Sequence, residues 1–215
     1  MLVLDHVHHA AAGNPVHPTL AGFPDRDPRS LSPDRGDRGS PWDGLVAALR
    51  GGPVRFSASG LEDRGRDMAR EFMAEAACLV LEHAGEIHYT QGPRRWEGIN
   101  RGLRAWRGEF PRFADCSSLA TWILWQGLGH FRVPDVVNGA NWHTGFVSTL
   151  LSHGRAVGPR EPIKLGDLAF YLPAGRHHVA VCVGGGKVVS HGTPHGPAKL
   201  TLDYRSDLHS IRRYM

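Results

Sequence analysis

Apolar residues in this chain recur at helical spacing up to about residue 152 and then alternate. That change of period limits the available folds more than any single residue does. From Met68 to Ala84, residues Met68, Phe72, Ala76, Leu79 and Val80 share one helical face, and Gly85 ends the run as a C′ residue. A second helix is predicted over residues 117–127, with Leu119, Trp122, Ile123 and Leu128 on one side. A third is predicted from about His143 to Ser152, stopped by Gly154. Beyond it, residues 167–172, 178–183, 187–191 and 200–204 read as strands, and Gly184-Gly185-Gly186 marks a hairpin between the second and third. Helices first and antiparallel strands later predict an α+β fold, with N-terminal helices packed on a C-terminal antiparallel β-sheet.

The start of the chain follows different rules. Seven of the fifteen prolines lie by position 53, and charges alternate with breakers from Pro24 to Gly39. Such a stretch supplies no core, so residues 1–55 are expected to be a disordered or extended arm and 56–215 the folded domain. No apolar run is long enough to cross a bilayer, and no secretory signal is visible. The expectation is a monomer made in the cytoplasm, without membrane insertion. The net charge is +4, carried almost wholly by arginine. That excess suits an anionic partner, but no nucleic-acid-binding module is present, so none is expected as a partner.

Three cysteines, Cys78, Cys116 and Cys182, are too few and too uneven for a disulfide framework. Cys78 lies inside the first helix, where a packed thiol is expected. Cys116 lies where a loop enters an apolar helix, and the positive end of the helix dipole there favours thiolate. A nucleophilic thiol needs a base, which need not be near in sequence. His178 begins one predicted strand and His191 ends the next. His177 is sent by alternation to the opposite face. Asp115, just before the cysteine, suits a helix cap better than a contact to a substrate ammonium. A zinc site built from His191, His195 and a further histidine is the competing chemistry, but it lacks a helical His-x-x-x-His face. No metal and no cofactor is expected.

Four stretches, in order, resemble a known family. Asp115-Cys-Ser-Ser-Leu resembles the Asp-Cys-Ser-Gly-Leu nucleophile motif of NlpC-type peptidoglycan cysteine peptidases. Leu165-Gly-Asp-Leu-Ala-Phe-Tyr resembles their Pro-Gly-Asp-Leu-Val-Phe-Phe strand. His178-Val-Ala-Val-Cys-Val-Gly, with Gly185-Gly-Lys-Val-Val-Ser-His191, resembles their two-histidine hairpin. Tyr89-Thr-Gln-Gly92 resembles their upstream Tyr-x-x-Gly element. The resemblance spans about residues 65–205 and implies a papain-like fold, with 56–215 an NlpC-like cysteine peptidase domain. It implies hydrolysis of amide bonds in peptidoglycan stem peptides by thiol acyl transfer. Cys116 would be the nucleophile, His178 the base and His191 the third member of the triad. Tyr89 and the Cys116 backbone N–H would face the oxyanion, with Asp115 and Ser117 on the substrate side. A wall hydrolase without a signal would be released by a phage, carried on a virion or injected. Ser118 and Leu165 depart from the motifs, and the spacer from Tyr89 to Cys116 is long and holds Trp96 and Trp106. Ser118 keeps open a catalytically degenerate wall-binding module of the same fold.

The hairpin loop sets how the two histidines stand. A two-residue loop at Gly184-Gly185 places them directly opposite, and one at Gly185-Gly186 offsets them by two positions on one face. A three-residue loop separates their faces unless a bulge intervenes. The glycines favour a two-residue turn, with both rings toward Cys116 and His191 touching His178.

Overall fold

A computed structural model describes residues 63–128, 146–172, 177–192 and 195–214. The expected arm, 1–55, and the start of the third predicted helix, 143–145, lie outside the described residues.

In the first helix, α1 (Asp63–Glu82), Phe72, Ala76 and Val80 of the predicted apolar face are buried, Met68 and Leu79 are half-buried, and Met73 is buried beside them. The helix packs against α3 (Cys116–Gly127), whose Leu119, Trp122, Ile123 and Leu124 are buried in the same core. The two helices approach closely at Gly127, where an added Cβ would stand 2.6 Å from the Ala69 carbonyl oxygen. A larger residue there forces them apart. A short helix, α2 (Glu97–Asn100), lies between them in sequence, and α4 (Val147–Ser152) follows α3.

Two sheets complete the fold. Strands β1 (His88–Tyr89) and β2 (Phe113–Ala114) pair in parallel, with Tyr89 opposite Ala114. The other six are β3 (Arg155–Ala156), β4 (Leu168–Tyr171), β5 (His178–Gly184), β6 (Lys187–Ser190), β7 (Ala198–Thr201) and β8 (Leu208–Arg213). They form one antiparallel sheet in the order β3-β8-β4-β5-β6-β7. The α+β layout expected from the period change is therefore the observed one. Val179, Val181 and Val183 face the helices, while Ala180 and Cys182 face a second core with Tyr171, Val188 and Ile211. Full burial of side chains the size of Phe170 or Leu124 contributes about 1.5–3 kcal/mol each.

The long spacer from Tyr89 to Cys116 is packed rather than open. Trp96 is buried, and Trp106 meets Phe72 edge-on at 6.2 Å. The Trp122 indole N–H donates to the Leu103 carbonyl at 2.9 Å, and the Ala105 N–H donates to Gln126 at 3.1 Å. The spacer is thus sewn to the back of α3. The parallel β1–β2 pair closes it, so Tyr89 sits beside the residues that lead into Cys116.

Asp167, from the Gly-Asp motif, has a structural role. It is buried and accepts from Arg213 Nε at 2.9 Å, Arg213 Nη2 at 2.7 Å and the Lys164 N–H at 2.8 Å. This fork ties the head of β4 to the end of β8. Asp167→Ala would leave the buried Arg213 guanidinium only its Glu161 and Pro162 partners, and is expected to cost about 3 kcal/mol or more. Denaturant titration at unchanged m-value measures it, and a loss below about 1 kcal/mol would refute this role.

Candidate active site

Cys116 is the first residue of α3, one position earlier than the predicted start. The capping residue is Asp115. Its Oδ1 accepts from the Ser118 N–H at 2.7 Å and from Ser117 Oγ at 2.9 Å. In return the Asp115 N–H donates to Ser118 Oγ at 2.9 Å, closing a capping box. Ser118 therefore does not crowd a cleft: its side chain is buried and turned back into the cap. Asp115 Oδ2 takes Arg95 at 2.9 Å, in a pair almost removed from solvent. These bonds commit the Asp115 carboxylate and the Ser117 hydroxyl to holding the helix start, whereas the resemblance set both on the substrate side.

The hairpin has the expected two-residue turn. Gly184 pairs with Lys187, and Gly185 and Gly186 have φ of 55° and 65°, the doubly positive geometry that glycine supplies. A bulge between Cys182 and Gly184 then shifts the register by one, so that Val181 faces Val189. That shift corrects the expectation that His191 touches His178. Ser190, not His191, reaches the imidazole, with Oγ 2.6 Å from His178 Nε2. His191 is fully buried and stands edge-on to Tyr89 at 5.3 Å between ring centroids. Neither of its ring nitrogens makes a well-formed hydrogen bond, though the backbone of His88 and of Gly196 lies close. Burial holds its pKa below the usual histidine value.

The hydrogen bonds fix the tautomer of His178. Ser190 Oγ also contacts the Val179 carbonyl oxygen at 2.8 Å, which can only accept. The single hydroxyl proton of Ser190 goes there, so Nε2 must carry the proton shared with Oγ, and Nδ1 keeps its lone pair. Gly192 lies against the ring, and a Cβ there would be 2.8 Å from Cε1. Val179 joins the site's parts: its carbonyl takes Ser190, and its N–H lies near the Cys116 sulfur.

Cys116 is partly buried. Burial, then the Asp115 charge, pushes its thiol up to about 11, against the N–H groups of Val179, Ser117 and Cys116. Burial, then Arg205, pushes His178 down to about 4. The resting pair is a neutral thiol and a neutral imidazole. The expected thiolate preference at the helix start is overridden because desolvation disfavours the charged form of both groups.

Tyr89 is 36% exposed, and its hydroxyl accepts from Gln91 at 3.0 Å. The Cys116 and Asp115 charges are among the influences on it, so it lies near the head of α3. Among the described residues no three His, Cys, Asp or Glu side chains converge as a metal set. His177 is exposed, just ahead of β5. Ser190 is the residue the sequence reading missed. Its signal was faint: a bulge beside a triple glycine slides the second strand by one.

No protein-family profile and no curated protein sequence matches the chain. Solved structures do. The peptidoglycan hydrolase RipB from Mycobacterium tuberculosis aligns with a TM-score of 0.52 at 21% identity, covering 79% of this chain and 77% of that one. The NlpC/p60 domain of the peptidoglycan hydrolase SagA aligns at 0.41 and 20% identity, covering 66% and 97%. NlpC2 from Trichomonas vaginalis aligns at 0.45 and 17% identity, and the chain spans 50% of its length. The chain has the fold of RipB, an α+β domain of the kind the NlpC resemblance implied. No helix among the described residues is long and apolar enough to cross a membrane.

Proposed function

We propose that this domain is a cysteine peptidase that hydrolyses amide bonds in peptidoglycan stem peptides, with Cys116 as nucleophile and His178 as base. The observation that carries this reading is the Cys116–Val179–Ser190–His178 cluster, in which the imidazole is locked with Nδ1 free to accept a proton. The motif order and the fold shared with a peptidoglycan hydrolase support the substrate.

The thiol proton passes to His178 Nδ1 as sulfur attacks the amide carbon. The tetrahedral oxyanion is received by the Cys116 backbone N–H and Tyr89. His178 returns the proton to the departing amine, leaving a thioester on Cys116. It then takes a proton from the water that attacks this acyl-enzyme, and the carboxylic acid and the thiol are regenerated. Ser190, rather than His191, keeps the imidazole aimed, and His191 backs the Tyr89 ring. The Ser118 capping bonds keep that side chain out of the cleft, which favours the enzyme over a degenerate, wall-binding module. On this reading the protein acts at the bacterial wall.

The reading is tested on isolated wall material. Turbidity should fall, new amino groups should appear, and Cys116→Ala should stop both. Clearing without new amino groups would overturn it. Ser190→Ala is expected to lower kcat by about 10- to 100-fold with KM within about twofold, because it frees the ring without removing the base. Ring 15N shifts should then show both tautomers, and an unchanged tautomer would refute the Ser190 role.

A further inference from the structure

The loop after β7 brings a charged pair to the His178 side of the site. Tyr171 ends β4 directly opposite His178 in the ladder, and their ring centroids are 6.2 Å apart. Tyr204 meets Tyr171 edge-on at 5.1 Å. The Arg205 guanidinium lies over the same Tyr171 ring, 5.7 Å from its centroid. Arg205 also forks onto Asp207, through Nε at 2.8 Å and Nη2 at 2.6 Å. A guanidinium held by a carboxylate fork and an aromatic face is preorganised, so little entropy remains to be lost when it binds a second acceptor. Its side chain is nevertheless 31% exposed.

The placement is costly for a base. His178 is faced by Tyr171 from β4 and by Ser190 from β6, and Arg205 and Asp207 from this loop act on its charge, as does His191. Asp115 acts on it from the head of α3. Arg205 is the permanent cation in that set, and it works against protonation of the imidazole. Asp207 offsets only part of this, because its carboxylate is shared with the fork.

A substrate carboxylate would supply the missing charge, and the chemistry indicates on which side. His178 gives its proton to the departing amine, so the residue that supplies the amine lies along His178 and toward Arg205. We propose that Arg205 is a specificity-determining residue that receives a carboxylate carried by the leaving-group residue of the substrate. The proposal rests on the peptidase reading above and narrows its substrate class. A bound carboxylate also cancels the Arg205 charge at His178, so the imidazole gains proton affinity only when a matching substrate is seated.

The test uses the full chain and two peptides that differ only on the residue supplying the amine, one with a free carboxylate and one with the carboxamide. The wild type is expected to favour the carboxylate by about 10- to 100-fold in kcat/KM. Arg205→Gln should bring the two within about twofold. Arg205→Lys, which keeps the charge without the fork, should leave an intermediate ratio, and it decides the matter if Arg205→Gln does not fold. Equal turnover of both peptides by the wild type, or an undiminished ratio in the variants, would overturn the assignment while leaving the peptidase reading intact. Failure of the wild type to cleave either peptide would overturn both.

Discussion

Replacing Cys116 by alanine is expected to lower wall hydrolysis by at least about 10⁴-fold, while Cys78→Ala and Cys182→Ala stay within about threefold of wild type. The three thiols sit in different environments. Cys182 is fully buried in the second core, and burial pushes its thiol well above the usual range. Cys78 lies in the body of α1, where burial again raises its thiol, Lys199 opposes the rise, and Glu75 and Glu82 add to it. Neither touches the His178 cluster. Cys116 starts a capped helix, with the N–H groups of Val179, Ser117 and its own backbone around the sulfur. Cys→Ala in this position removes one sulfur and leaves the Asp115 cap intact, so the thermal midpoint should barely move. Turbidity and amino-group release are measured on the three variants at equal folded concentration. A Cys116→Ala protein that still clears the wall would eliminate the thiol mechanism, and an inactive but well-folded Cys182→Ala protein would relocate it.

The parts of this fold that were legible in the sequence are those governed by local period and by turn chemistry. The apolar stripe of α1, the helix after Asp115 and the glycine turn of the β5–β6 hairpin all follow from residues within a few positions of one another. Elements set by distant partners were not legible. Strand β8 carries Arg213 at a buried position. Asp167, Glu161 and the Pro162 carbonyl, all some fifty residues upstream, make that burial tolerable, so no alternation of apolar residues announces the strand. Strands β1 and β2 have two residues each, too few for any period. β7 runs Ala198–Thr201 and not to Tyr204, because the chain turns there to present Tyr204 and Arg205 to the site. At the site itself, a helix starting beside Cys116 and a strand starting at His178 were readable from type and position. The partner of His178 was not, because one extra residue in the bulge exchanges the faces of Ser190 and His191. A two-residue turn is a local property; the register beyond it depends on how Val181, Val183 and Val189 fill the core under the helices.

The charge state of the Cys116–His178 pair sets a second large effect. With the thiol at about 11 and the imidazole at about 4, neither group is charged between those values. Alkylation by iodoacetamide depends on the thiolate. Below about 11 the thiolate fraction grows tenfold for each pH unit, so the inactivation rate of the free protein is expected to rise about 1,000-fold from pH 7 to pH 10. An imidazolium–thiolate pair would behave in the opposite way. Its rate would climb through acidic pH, level off near neutrality and change little until the imidazolium lost its proton. The burial of both groups favours the first profile, because an ion pair there would have to be desolvated twice. Substrate turnover need not follow the same curve. The neutral imidazole is ready to take the proton at any pH above about 4, so kcat/KM should be nearly flat from pH 6 to 9 while alkylation climbs. A pH-independent alkylation rate across that range would show that the pair rests as ions, and that the N–H groups around the sulfur outweigh its burial.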